Sequence, residues 1–193
     1  TLGGSGDIAK GDVDAAGIGS LGNDTIANIQ TIIGSATQTN TIDGQLNAAG
    51  NGSFVIDLSQ ELLTVNISTP GVGPFTFNVE NFDDVVGTIN NDSIIGNAND
   101  NVFGGSAGND TIDGVDGNDI VDYSNFGGAV TLGGSGDIAK GVVDAAGIGS
   151  LGNDTIANIQ TIIGDANFTN TIDGELNAAG NGSFVVDLSQ ELL

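Results

Sequence analysis

The sequence predicts an all-β chain: a parallel β-solenoid of short strands stacked in two layers and joined by turns rich in Gly, Asn and Asp. Three observations predict it. Gly, Asn and Asp account for 76 of the 193 residues, a composition that disfavours helix, and no apolar stripe of helical period persists. The apolar residues make up 38% of the chain and fall in short runs of Ile, Val, Leu and Phe between turn residues, which is too apolar for a disordered chain and is the texture of very short strands. The third observation is repetition at two scales, the usual mark of a stacked architecture.

The longer period is 130 residues. Residues 1–63 recur as 131–193 with six changes: Asp12 to Val142, Ser35 to Asp165, Thr37 to Asn167, Gln38 to Phe168, Gln45 to Glu175 and Ile56 to Val186. The chain is therefore one continuous stretch, 1–193, holding about one and a half copies of the unit. It reads as a window cut from a longer tandem array.

Taken in order, residues 19–27 form the nonapeptide GSLGNDTIA, and a looser version follows at 34–43. Residues 44–86 break the pattern. Phe54, Ile56 and Leu58 alternate as in a strand, as do Val65 with Ile67 and Phe75, Phe77 with Val79, while Pro70 and Pro74 bracket a turn. Wider coils of the same stack carrying a projecting hairpin fit this stretch, and so does a small separate sandwich; the absence of a linker before residue 87 favours the wider coils. LSQELL at 58–63 suits a single helical turn.

From Gly87 four contiguous blocks run to Asp122: GTINNDSII, GNANDNVFG, GSAGNDTID and GVDGNDIVD. The first position is always Gly, the eighth is Ile94, Phe103, Ile112 and Val121, and the sixth is Asp92, Asn101, Asp110 and Asp119. Nine residues are too few to close a coil, whereas two blocks give a coil with one short strand on each of two faces. Stacked coils then pair their strands at about 4.8 Å, the eighth-position side chains point inward as a continuous narrow core, and no single coil can build that core alone. Gly at the first and fourth positions supplies backbone angles and close approaches that other residues resist. The final stretch, 131–193, repeats the first.

Charge gives the stack its chemistry. The chain carries 25 acidic residues, 21 of them Asp, against two basic ones, Lys10 and Lys140, for a net charge of −23. Residues eighteen apart come into vertical register, so Asp92 and Asp110 fall on one edge, and Asp83, Asn101, Asp119 and, by counting, Asp137 on the other. Stacked carboxylates about 5 Å apart repel. Hard oxygen donors and loop carbonyls freed by Gly-rich turns suit Ca2+, whose flexible shell takes six to eight oxygens, better than Mg2+. Asp24 and Asp154, in the two GSLGNDTIA copies, hold the same sixth position, and Asp100 and Asp116 add carboxylates in the turns. The candidate metal residues are thus Asp24, Asp83, Asp92, Asp100, Asp110, Asp116, Asp119 and Asp154. Isolated acids such as Asp7, Asp14, Asp57, Asp144 and Asp187 read as solvated turn residues.

The blocks GSAGNDTID, GVDGNDIVD and GSLGNDTIA resemble the nonapeptide repeats of the RTX, or hemolysin-type calcium-binding, family, whose pattern is G-G-x-G-x-D-x-U-x with U a large aliphatic residue. The chain departs from it in lacking most second-position glycines. The resemblance implies a parallel β-roll that folds when calcium binds, in secreted or surface-attached proteins, with each ion between turns one coil apart. Applied to this sequence, it sets Asp92 and Asp110 in one row and Asp119 in the opposite row.

Several functions are disfavoured. No basic patch exists to meet nucleic acid or an anionic membrane, and no apolar run is long enough for a transmembrane helix. With no Cys, His or Arg, an enzyme is not expected. The expectation is a structural repeat segment of a secreted or cell-surface protein stabilised by calcium, forming a fibre, surface layer or adhesin stalk. Its partners would be calcium and neighbouring copies of the same repeat, including an end-to-end homopolymer. The alternative is a calcium-dependent secretion and folding module of a larger toxin or extracellular enzyme.

Overall fold

The computed structural model describes residues 2–3, 7–10, 22–25, 28–46, 52–67, 70–71, 74–133, 137–141 and 150–173; at residues 2–3, 7–10, 22–25, 46, 137–141, 150–151 and 173 the description extends to the backbone only. The strands are β1 (Leu2–Gly3), β2 (Asp7–Lys10), β3 (Gly22–Thr25), β4 (Thr31–Ile33), β5 (Thr41–Asp43), β6 (Gly52–Asp57), β7 (Leu62–Ile67), β8 (Phe75–Glu80), β9 (Asp84–Val86), β10 (Ser93–Ile95), β11 (Val102–Gly104), β12 (Thr111–Asp113), β13 (Ile120–Asp122), β14 (Ala129–Gly133), β15 (Asp137–Gly141), β16 (Ser150–Ala157), β17 (Thr161–Ile163) and β18 (Thr171–Asp173). Among the described residues there is no α-helix, only the 3-10 turns Gly44–Leu46 and Leu58–Gln60. The chain is all-β.

The strands form two sheets. One runs β17-β13-β11-β9-β5-β1-β2-β3 and the other β18-β14-β15-β16-β12-β10-β6-β7-β8-β4. Successive strands of the nonapeptide run alternate between them. β10 pairs with β12 in parallel through Ile94 and Ile112, and β11 with β13 through Phe103 and Val121, each pair eighteen residues apart. Side chains in register build two facing rows. Ile56, Ile94, Ile112 and Ile156 line one sheet, and Ile42, Val85, Phe103, Val121 and Ile162 the other. Phe103, Val121, Ile42, Val85 and Ile56 are fully buried, and Ile94 and Ile112 nearly so. In β5, β9, β10, β11 and β13 the middle residue is inside and its flanks are partly solvated, because side chains alternate across a strand. At about 25 cal/mol per Å2 of apolar surface, burying one such Ile or Phe is worth roughly 1.5–3 kcal/mol, so the rows are the main source of cohesion.

The stack is not purely parallel. Three antiparallel meanders interrupt it: β1-β2-β3, β6-β7-β8 and β14-β15-β16. The stretch 44–86 is therefore neither a projecting hairpin nor a separate sandwich. β6 continues the stack against β10, β7 and β8 extend the same sheet, and β8 pairs in parallel with β4. The β6–β7 reversal is a local matter. Asp57 caps the 3-10 turn, its Oδ1 accepting from the Gln60 N–H (3.1 Å) and the Ser59 hydroxyl (2.6 Å), and Glu61 closes it in the left-handed region at φ 56°.

The two copies of the long repeat have the same local pairing. Leu2 faces Ile8 as Leu132 faces Ile138; Leu2 pairs with Ile42 as Leu132 does with Ile172; Ile8 faces Asp24 as Ile138 faces Asp154. The copies nevertheless lie in opposite sheets. β1, β2, β3 and β5 belong to the first sheet and β4 to the second, whereas their equivalents β14, β15, β16 and β18 belong to the second and β17 to the first. Counting gives the reason. Among the described residues the chain passes between the two sheets nine times from β1 to β14, and an odd number of passages puts the next copy in the opposite sheet.

Candidate metal centre

The sixth-position residues stand at the two edges of the stack, between a Gly-rich turn and the strand that follows. Fourth-position Gly108 and Gly117 make the turns possible. Their φ values are +108° and +119°, and a Cβ on either would sit 2.5 Å from the carbonyl oxygen of Asn90 or Asn99 in the adjacent coil. Only Gly satisfies both conditions at once.

On the first edge Asp92, Asp110 and Asp154 form one buried column. The Asp92 N–H donates to Asp110 Oδ1 and the Asp110 N–H to Asp154 Oδ1, both at 2.9 Å. Asp154, 44 residues beyond Asp110, takes the place of the next coil because the β14-β15 excursion intervenes. Each carboxylate also takes a hydroxyl: Thr88 donates to Asp92 (3.0 Å), Ser106 to Asp110 Oδ2 (3.0 Å) and Tyr123 to Asp154 Oδ2 (2.5 Å). The N–H groups of Phe54 and Thr88 complete the set on Asp92, each at 2.6 Å. Protein donors fill this column, so its residues do not fit a bound cation. Outside it runs a solvated ladder of the opposite sense, in which the Asn109 N–H donates to Asn91 and the Asn153 N–H to Asn109, both at 2.8 Å.

The second edge differs. The Asn101 N–H donates to Asp119 Oδ1 (2.9 Å), and the place below Asp119 belongs to Gln160, whose Oε1 accepts from the Asp119 N–H (2.6 Å). Asp137, which counting put there, is in β15 opposite Thr155. Asp83 contributes its backbone carbonyl, accepting from Asn101 Nδ2 (2.8 Å). Asp100 is exposed and accepts from the Asn118 N–H (2.8 Å), Asp116 is exposed, and the side chain of Asp24 lies outside the described residues, as do Asp14, Asp144 and Asp187.

Asp119 itself is fully buried, and its Oδ2 has no hydrogen-bond partner. The cause is local. In the neighbouring blocks the second-position N–H turns back to the sixth side chain, Thr88 to Asp92 (2.6 Å) and Asn97 to Asn101 (3.0 Å). Val115 adopts φ 75° and sends its N–H to Asp113 Oδ1 instead (3.1 Å). The orphaned oxygen and the Asn158 carbonyl both crowd the bare face of Gly114, where a Cβ would collide with each. Burial pushes the Asp119 carboxyl above the usual carboxylate range, and the charges of Asp100, Asp113 and Asp116 add to the shift against the Asn101 hydrogen bond. Asp119 Oδ2 is thus a buried carboxylate oxygen without a hydrogen-bond partner, beside the Asn158 carbonyl.

Among the described residues no three acidic side chains converge on one point. A calcium shell here would draw on Asp119 Oδ2 and backbone carbonyls. Gln160 and Tyr123 carry structural weight that sequence spacing did not single out; the break in spacing after residue 123 hid the Tyr123–Asp154 contact. No protein-family model matches the chain, and no curated protein matches it.

Proposed function

We propose that the chain is a structural segment of a secreted or cell-surface tandem-repeat protein: a β-solenoid of the β-roll kind that serves as a stalk, fibre or surface layer. The observation that carries this reading is that the three-stranded meander of each copy, and the strand paired in parallel with its first strand, keep the same register at an offset of 130. A module whose geometry is copied along the chain transmits length and load. The resemblance to RTX repeats supports the extracellular setting and calcium.

Within this reading calcium acts at the Gly114–Asp119 turn, where it relieves the buried charge of Asp119, while the Asp92–Asp110–Asp154 column holds without it. Thermal unfolding followed by circular dichroism, in chelator and in a calcium series, tests the proposal. Strand signal is expected in chelator, with a midpoint that rises as calcium is added; at a hundredfold excess over Kd the gain is about 2.7 kcal/mol. Asp119→Asn should abolish the response and Asp110→Asn should keep it. A midpoint indifferent to calcium removes the metal from the proposal, and a chain without strand signal in either condition removes the stack.

A further inference from the structure

The segment Asn28–Gly34 occurs twice with one sequence, again as Asn158–Gly164, and each copy shows a different neighbour. β4 pairs with β8, Ile32 against Val79, and lies at the end of its sheet. β17 pairs with β13, Ile162 against Val121, and also lies at the end of its sheet. β5 and β18 repeat the lesson. β5 sits between β1 and β9, whereas among the described residues β18 has only β14, the equivalent of β1. The side chains register the difference. Ile42 of β5 is 0% exposed, and its equivalent Ile172 is 46% exposed. The layer that covers Ile42 is the one carrying Val85 of β9, and nothing described covers Ile172 in that way.

We propose that the end of the stack formed by β17 and β18 is a docking face for a further copy of the residue 64–130 segment, which seats its β8 against β17 and its β9 against β18. The register follows from the pairs already present, Thr31 with Asn78 and Ile42 with Val85. An intact second chain does not fit, because its β8 is held by β7 and β4 and its β9 by β5 and β11. Since β17 and β18 lie in the opposite sheets from β4 and β5, the added segment arrives rotated by about half a revolution. With thirteen strands per unit among the described residues, shared between two sheets at about 4.8 Å per strand, each unit advances the stack by about 31 Å. The proposal rests on the stacked reading above.

The test lengthens the chain by a further copy of residues 64–193 after Leu193 and uses the absence of native cysteine. Ile172→Cys should react freely with a thiol reagent in the 193-residue chain and at least about tenfold more slowly in the lengthened one; Ile42→Cys should be protected in both. Equal Ile172→Cys rates in the two chains, with Ile42→Cys protected, overturn the docking face and leave the stack standing. Reactive Ile42→Cys overturns the stack and the docking face with it. Concentration-dependent protection of Ile172→Cys in the unlengthened chain makes a second chain the occupant and likewise overturns the proposal. Should the core variants unfold, Thr161→Cys with Asn78→Cys in the added segment must form a disulfide as readily as the control pair Thr31→Cys and Asn78→Cys; failure against a positive control rejects the register.

Discussion

Asp154 shows how protein donors meet a buried carboxylate: one oxygen takes the Asp110 backbone N–H and the other the Tyr123 phenol. Asp110 is the middle of that column. Asp110→Ala leaves the Asp92 N–H and the Ser106 hydroxyl without these acceptors, and should cost about 1–3 kcal/mol for each donor left unpaired in urea unfolding. Tyr123 titrates with its surroundings. Burial, then the charge and hydrogen bond of Asp154, then the charge of Asp110, raise its phenol above the ordinary value of 10.0. A raised pKa means that its contribution is intact below pH 10 and is lost as pH climbs further, at about 1.4 kcal/mol per unit. Alkaline unfolding should follow that slope, and Tyr123→Phe should flatten it. Asp119 gives the same sign at lower pH. In chelator, stability should fall as pH rises past the ordinary carboxylate value of 3.8, and Asp119→Asn should reduce that fall, leaving the share of Asp84, whose carboxyl burial also raises. Asp165 has the opposite sense. The Asn167 N–H and amide and the Gly127 N–H hold its carboxyl low, so its contribution is present above the ordinary value and fades only in stronger acid. This also accounts for two of the six differences between copies, since Ser35 and Thr37 are replaced by the Asp165–Asn167 pair.

At the scale of the element, the nonapeptide turn carried most of what sequence reading recovered. The eighth-position residues Ile94, Phe103, Ile112 and Val121 are buried, and residues eighteen apart are in register, because the period of a coil is fixed by its own length. The antiparallel meanders were not legible, since a strand of alternating residues such as Phe75–Val79 has the same pattern whichever way its neighbour runs. Nor was the filling of the first edge by Thr88, Ser106 and Tyr123, which depends on hydroxyls reaching across a turn and on a gap of 44 residues. The Gly114–Asp119 turn is the one in which local and global demands conflict. A β-branched residue at φ 75° is strained by about 1–3 kcal/mol. Val115→Gly should therefore raise the unfolding free energy by about 1 kcal/mol, whereas Gly114→Ala, which drives a Cβ into Asp119 and Asn158, should lower it by about 1–3 kcal/mol. Chemical denaturation of the two variants side by side checks both signs.

For the molecule as a whole, the exchange of sheets between copies sets the mechanical character of any long array. Among the described residues β1 to β13 place seven strands in one sheet and six in the other, and if every unit gave its surplus strand to the same side the stack would accumulate a bend. The exchange of sheets sends that surplus to alternate sides, so the bends of neighbouring units oppose one another. An array of many units should diffract with a true axial period of about 62 Å, twice the unit advance; a 31 Å period alone would contradict the exchange. In such an array one epitope would face left and right in alternate units, and a two-armed receptor reaching along one side would grip every second unit.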